Sequence, residues 1–138
     1  SLAHTTLTGA QLSGANMTGV ISGNITGTPN SLPANWRLDN GYLFGPYANL
    51  GMMGENFEGD LQGVDLQGAN LTQDNFVNVN LAGSNLSDTN MMQAGIDAGG
   101  ASTLLQGCTS GGITSVPAGL PIGWTLVNGT LVGPSSNA

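Results

Sequence analysis

Few residues in this chain carry reactive chemistry. There is one Cys (Cys108), one His (His4), one Arg (Arg37), no Lys, and eight carboxylates spread along 138 residues. A nucleophilic thiolate needs a neighbouring base or cation to lower its pKa, and no His follows Cys108. His4 has no second His or Cys at a metal-ligand spacing. Glu55 with Glu58, and Asp60 with Asp65, are close enough in sequence to share a surface. The Gly-Gly-x-Gly-x-Asp turn of calcium-binding nonapeptide solenoids is nevertheless absent. The expectation is therefore no catalytic residue, no cofactor-binding residue and no metal site, and the chain is not read as an enzyme.

The charge balance excludes further classes. A formal net charge of −7 with a single permanent cation gives phosphate groups nothing to bind, so nucleic acid is not expected as a direct partner. Anionic membrane surfaces are disfavoured for the same reason. Insertion is not expected either, because no apolar run approaches the roughly 18 residues that span a bilayer. Charged residues make up only 7% of the chain, yet its mean hydropathy is slightly positive and its patterning strict, which favours order over disorder. One Cys forms no intrachain disulfide.

What must hold any site is visible between Val64 and Ala98. A large apolar residue returns every fifth position, at Leu61, Leu66, Leu71, Phe76, Leu81, Leu86, Met91 and Ile96. A small residue usually sits two places before each, with Asn between them. A period of five suits neither a lone helix nor a lone strand, whose periods are about 3.6 and 2. Fixed self-similarity marks a repeat architecture, in which each unit buries its apolar residue only against its neighbours. A second block near the N-terminus has centres Leu2, Leu7, Leu12 and Met17, with Thr5, Ala10, Ala15 and Val20 as small partners. Asp74 is the exception, a carboxylate where Ala, Val or Ser stands elsewhere. Its side chain is expected to turn to a corner N–H, because an unpaired buried charge is costly.

This pattern resembles the pentapeptide-repeat family, with its small residue, Asn or Asp, Leu or Phe, polar residue, then Gly. The resemblance implies an all-β fold without substantial α-helix: a right-handed quadrilateral β-solenoid, or pentapeptide-repeat β-helix, with about four pentapeptides per coil. The central apolar residue and the small one before it would point inward. Leu61 would then lie beside Leu81, Leu66 beside Leu86, Leu71 beside Met91 and Phe76 beside Ile96. Asn70, Asn75, Asn80, Asn85 and Asn90 would stack as amide ladders. Cys108 aligns with the inward Val20 and reads as an inert, buried thiol.

Between the repeats lies a second element that is itself duplicated. Ser22 to Pro46 and Ser110 to Pro134, 88 residues apart, share about 14 of 25 aligned positions. Pro29 and Pro33, with Pro117 and Pro121, forbid a helix there. Trp36 and Trp124 are expected to fold back over the prolines in equivalent places. Leu38 and Leu43, like Leu126 and Leu131, are five apart and read as resumed centres. Asn40-Gly41 and Asn128-Gly129 are accordingly taken as corners, although they also match a type I′ hairpin. The chain reads as one domain built from blocks 1–21, 22–49, 50–104 and 105–138, alternately pentapeptides and Pro/Trp modules.

Trp36, Tyr42, Tyr47 and Trp124 are the candidate interface residues, since an exposed aromatic can stack on a sugar or anchor a protein partner. Asn-x-Ser/Thr triplets such as Asn24-Ile-Thr match a glycosylation acceptor pattern, but the repeat consensus generates them by itself. The functional expectation is a structural or interaction protein at the cell surface or outside the cell. No capping element precedes Leu2, so the expected partner is another copy, stacked head to tail into a fibre, unless the repeats continue in a longer chain. The alternative that the family resemblance implies is a cytoplasmic DNA mimic that binds DNA gyrase. Such proteins carry a densely acidic face and a C-terminal dimerising helix, and this sequence shows neither.

Overall fold

The five-residue consensus is a recipe for one turn. The computed structural model describes residues 1–51, 54–96 and 105–134. In most pentapeptides the N–H three residues after a centre donates to the centre's own carbonyl. Ala69 donates to Leu66 at 2.9 Å, Ser84 to Leu81 at 3.0 Å and Ala94 to Met91 at 2.9 Å. The residue two after the centre has positive φ. It is Gly at positions 63, 68 and 83, but Gln73, Asn78, Asp88 and Gln93 adopt the same conformation. Gly is the consensus there because it alone has no Cβ to oppose that conformation.

Asn before the centre does two jobs. Its Oδ1 accepts the N–H two residues on, as from Thr72 to Asn70 (3.2 Å), Ala82 to Asn80 (3.1 Å) and Ser87 to Asn85 (3.1 Å). Its Nδ2 reaches along the stack, from Asn70 to Asn49 at 2.9 Å and from Asn75 to Asn56 at 3.2 Å. Asp is acceptable only where the acceptor role suffices: Asp65 caps Gln67 and receives the Asn85 amide at 3.1 Å.

The pentapeptides stack in parallel. Thr6 pairs with Thr26, Gln11 with Ser31, Asp65 with Asn85, Asn70 with Asn90 and Asn75 with Gly95, each twenty residues on. This is the offset that sets Leu61 beside Leu81. Longer intervals, such as Ile21 to Asn49 and Asn85 to Thr109, absorb the inserted residues. Two rungs form longer strands, labelled β3 (Asn56–Asp60) and β4 (Asn75–Asn80), parallel with a bulge between Phe57 and Gly59. No helix occurs among the described residues, and the fold is all-β. A continuous apolar column runs from Phe44 through Leu61, Phe76 and Leu86 to Leu131, with a smaller cluster of Leu7, Met17, Ile25 and Leu43 at the N-terminal end.

The Asn-Gly pairs are hairpin turns, not corners. Strands β1 (Arg37–Asp39) and β2 (Tyr42–Phe44) pair antiparallel, and so do β5 (Thr125–Val127) and β6 (Thr130–Val132). Asn40 and Gly41 have φ of 45° and 80°, and Asn128 and Gly129 have 48° and 76°. Two positive φ values in a two-residue loop give the primed turn whose twist matches the flanking strands. The five-residue spacing misled because a two-residue hairpin also sets residues five apart opposite each other: Leu38 faces Leu43, and Leu126 faces Leu131. Gly41→Ala is expected to cost about 1–2 kcal/mol, the penalty of a left-handed residue with a side chain. Urea denaturation measures it, and an unchanged midpoint would contradict this account of the turn.

Candidate functional site

The eight ladder residues Leu61, Leu66, Leu71, Phe76, Leu81, Leu86, Met91 and Ile96 are all buried, none above 1% exposed. The four aromatic interface candidates are not gathered into one site. Trp36 and Trp124 occupy equivalent, half-buried places, each with its backbone N–H donating to the carbonyl of Pro33 or Pro121. Each ring lies against a glycine rather than simply over the prolines: a Cβ on Gly45 or Gly133 would overlap it. The modules agree in other bonds too. Leu43 donates to Ser22 Oγ at 2.9 Å, and Leu131 to Ser110 Oγ at 3.0 Å. Tyr47 is 49% exposed with its ring over Gly68.

Tyr42 belongs to a different constellation, which the sequence only half announces. Its ring meets Phe57 edge-on at 5.1 Å, and Phe57 in turn meets Phe44 at 5.3 Å and Phe76 at 5.2 Å. Beside these rings, Asp39, Asn40, Tyr42, Asn56, Phe57 and Glu58 line an open cavity of about 180 Å³. The Tyr42 hydroxyl is pushed up to about 12 by burial, then by its hydrogen bond to Glu55 and by the carboxylates of Glu55 and Asp74.

Asp74 does not turn to a corner N–H as expected. It is fully buried, and neither carboxylate oxygen has a partner in hydrogen-bond geometry, the Glu55 backbone being near enough only to favour the charged form in part. Burial pushes it up to about 7; the Glu55 backbone pulls that back in part and the Glu55 carboxylate adds to it. The sequence singles out Asp74 but not its neighbours. The missed signal is the register at β3, where Asn56 pairs with Asn75 at nineteen residues and so brings Glu55 over Asp74.

The remaining reactive groups are dispersed. Cys108 is fully buried, and burial pushes its thiol up, away from the thiolate that nucleophilic chemistry requires. His4 is exposed, at a corner with φ of 60°. Arg37 reaches the backbone carbonyls of Gln62 (3.0 Å) and Asp60 (3.4 Å), tying β1 to the next rung. Among the described residues no group of three or more His, Cys, Asp or Glu is placed to hold a metal ion. Nor is any described helix long and apolar enough to cross a membrane.

The turn chemistry and the twenty-residue stacking together bear on kinship. The profile of the family described as pentapeptide repeats matches eight copies in this chain, over residues 1–21 and 60–94. Those residues are pentapeptide repeats. Both hairpins lie outside the matched residues, the first between the two matched blocks and the second after them. No curated protein and no solved structure matches the chain.

Proposed function

We propose that this protein is a structural or interaction module: a right-handed, four-sided β-solenoid that associates end to end into a fibre at the cell surface or outside the cell. The observation that carries the reading is the contrast between rungs. Centres inside the stack are 0–1% exposed from Leu61 to Ile96, whereas Leu2 and Leu12 of the first rung are only half-buried. A rung with half-buried apolar centres is a template for another rung, whether of a second copy or of a longer chain. Its surface chemistry suits such a role, because amides and hydroxyls bond along the stack, as Asn70 does to Asn49 and Thr6 to Thr26.

The gyrase-binding alternative has less support. Asp74 is buried, Asp60 and Asp65 cap turns, and the remaining described carboxylates do not form a dense face. Electron microscopy and light scattering of the isolated chain test the proposal. Filaments that lengthen with concentration are expected, together with no protection of gyrase in a supercoiling assay. A monomer at high concentration would overturn the fibre.

A further inference from the structure

The two modules are copies, so the first shows what normally covers the second. In each hairpin, alternate residues face opposite ways. Leu38 and Leu43 turn one way, as do Leu126 and Leu131, and Leu43 and Leu131 are fully buried. The other face is Arg37, Asp39, Tyr42 and Phe44 in the first module, and Thr125, Val127, Thr130 and Val132 in the second.

In the first module that face is covered by the rung after it. Phe57 packs on Tyr42 and Phe44, and the Arg37 guanidinium bonds to the Asp60 and Gln62 carbonyls. Phe44 is consequently 2% exposed. Its counterpart Val132 is 42% exposed, and Val127, in the place of Asp39, is 48% exposed. The second copy has also lost both charges of the first, leaving four β-branched residues, which suit a pleated surface packed on one side. A face so built and so uncovered is prepared for the same kind of occupant: a pentapeptide rung presenting large apolar centres.

We propose that the Thr125–Val132 hairpin face docks the first rung of a second copy of this chain. That rung has the complementary vacancy. Its free side opens a cavity of about 370 Å³ lined by Leu2, Leu12, Ala15, Met17 and Val20 beside polar residues that include Ser1, with no carboxylate and no Arg. Two largely apolar surfaces, different from each other and on different rungs, make a heterologous contact, which propagates rather than closing into a pair. The inference rests on the end-to-end reading above and assigns its surfaces.

The test uses two variants of the full chain, one at each end. Val127→Asp with Val132→Asp puts carboxylates on the hairpin face, the first at a position where the other module already carries Asp39. Ala15→Asp puts one into the first-rung cavity. Each variant alone should weaken association at least about tenfold in sedimentation velocity, with a circular dichroism spectrum like that of the wild type. Mixed in equal amounts they should form a dimer and stop, since each retains the surface the other has lost. If the hairpin variant assembles as well as the wild type, this face is not the contact, although end-to-end growth stands. If both variants are monomeric and their mixture forms no dimer, the pairing of these two surfaces is wrong. If the wild type is itself monomeric, both readings fall, and the bare face is left to a rung of a longer chain.

Discussion

Phe76→Ala is expected to lower the unfolding free energy by about 3–5 kcal/mol, the usual cost of emptying a buried aromatic site. The ring is fully buried in β4, and Phe57 of the preceding rung leans on it at 5.2 Å. Through Phe57 the chain of ring contacts reaches Phe44 and Tyr42, so one substitution loosens β3, β4 and the hairpin above them. The effect is large because a stack of repeats has no alternative core: each rung touches only its neighbours, and losing one interface divides the column. Urea denaturation by circular dichroism measures it. Ile21→Ala, at a position 38% exposed, should shift stability by less than about 1 kcal/mol. A Phe76→Ala midpoint equal to that of Ile21→Ala would show that the aromatic contacts do not join the rungs.

What was legible in the sequence, and what was not, divides along physical lines. Periodicity reports burial, so the centres from Leu61 to Ile96 could be read from spacing, whereas the twenty-residue offset was implied by the family resemblance with its four pentapeptides per coil. The hairpins could not, because a spacing of five is produced both by consecutive pentapeptides and by residues facing each other across a two-residue turn. The turn residues Asn40-Gly41 held the answer, since positive φ at both positions is what a primed turn requires. The role of Asn before each centre was half read: stacking of amides was expected, but the bond from Oδ1 to the N–H two residues on is a turn property and has no sequence period of its own. The Glu55–Asp74 neighbourhood depends on a register of nineteen, and the spacing carried it: Phe57 and Leu61 are four apart where Phe76 and Leu81 are five, so stacking both pairs requires the bulge.

Asp74→Ala is expected to stabilise the protein, by about 3 kcal/mol above pH 7, near the low end of what an uncompensated buried charge costs. Ala is the residue that the repeat places at equivalent inward positions, at Ala69 and Ala94, so the substitution asks for no new shape. Polar residues there succeed only by donating: Ser84 Oγ gives its hydrogen to Leu81 O at 2.6 Å, and Thr89 Oγ1 to Leu86 O at 2.9 Å. An ionised carboxylate has no hydrogen to give, and Asp74 is left without a partner. Burial disfavours the charged form, and the Glu55 carboxylate adds to this, so the folded state holds the Asp74 proton up to about pH 7, far above the ordinary carboxyl value of 3.8. Between those two values the folded chain carries a proton that the unfolded chain has lost, so wild-type stability should fall as pH rises through that window and level off above it. Below pH 3.8 both states are protonated and the contribution of Asp74 is constant. The charged and titratable neighbours are Glu55 on the rung above and Tyr42 from β2, and Tyr42 ionises only near pH 12, outside the window. Denaturation midpoints across the window should therefore slope downward for the wild type and much less for Asp74→Ala. Parallel slopes, or a variant less stable than the wild type above pH 7, would mean that Asp74 is a satisfied structural group and that its burial carries no strain.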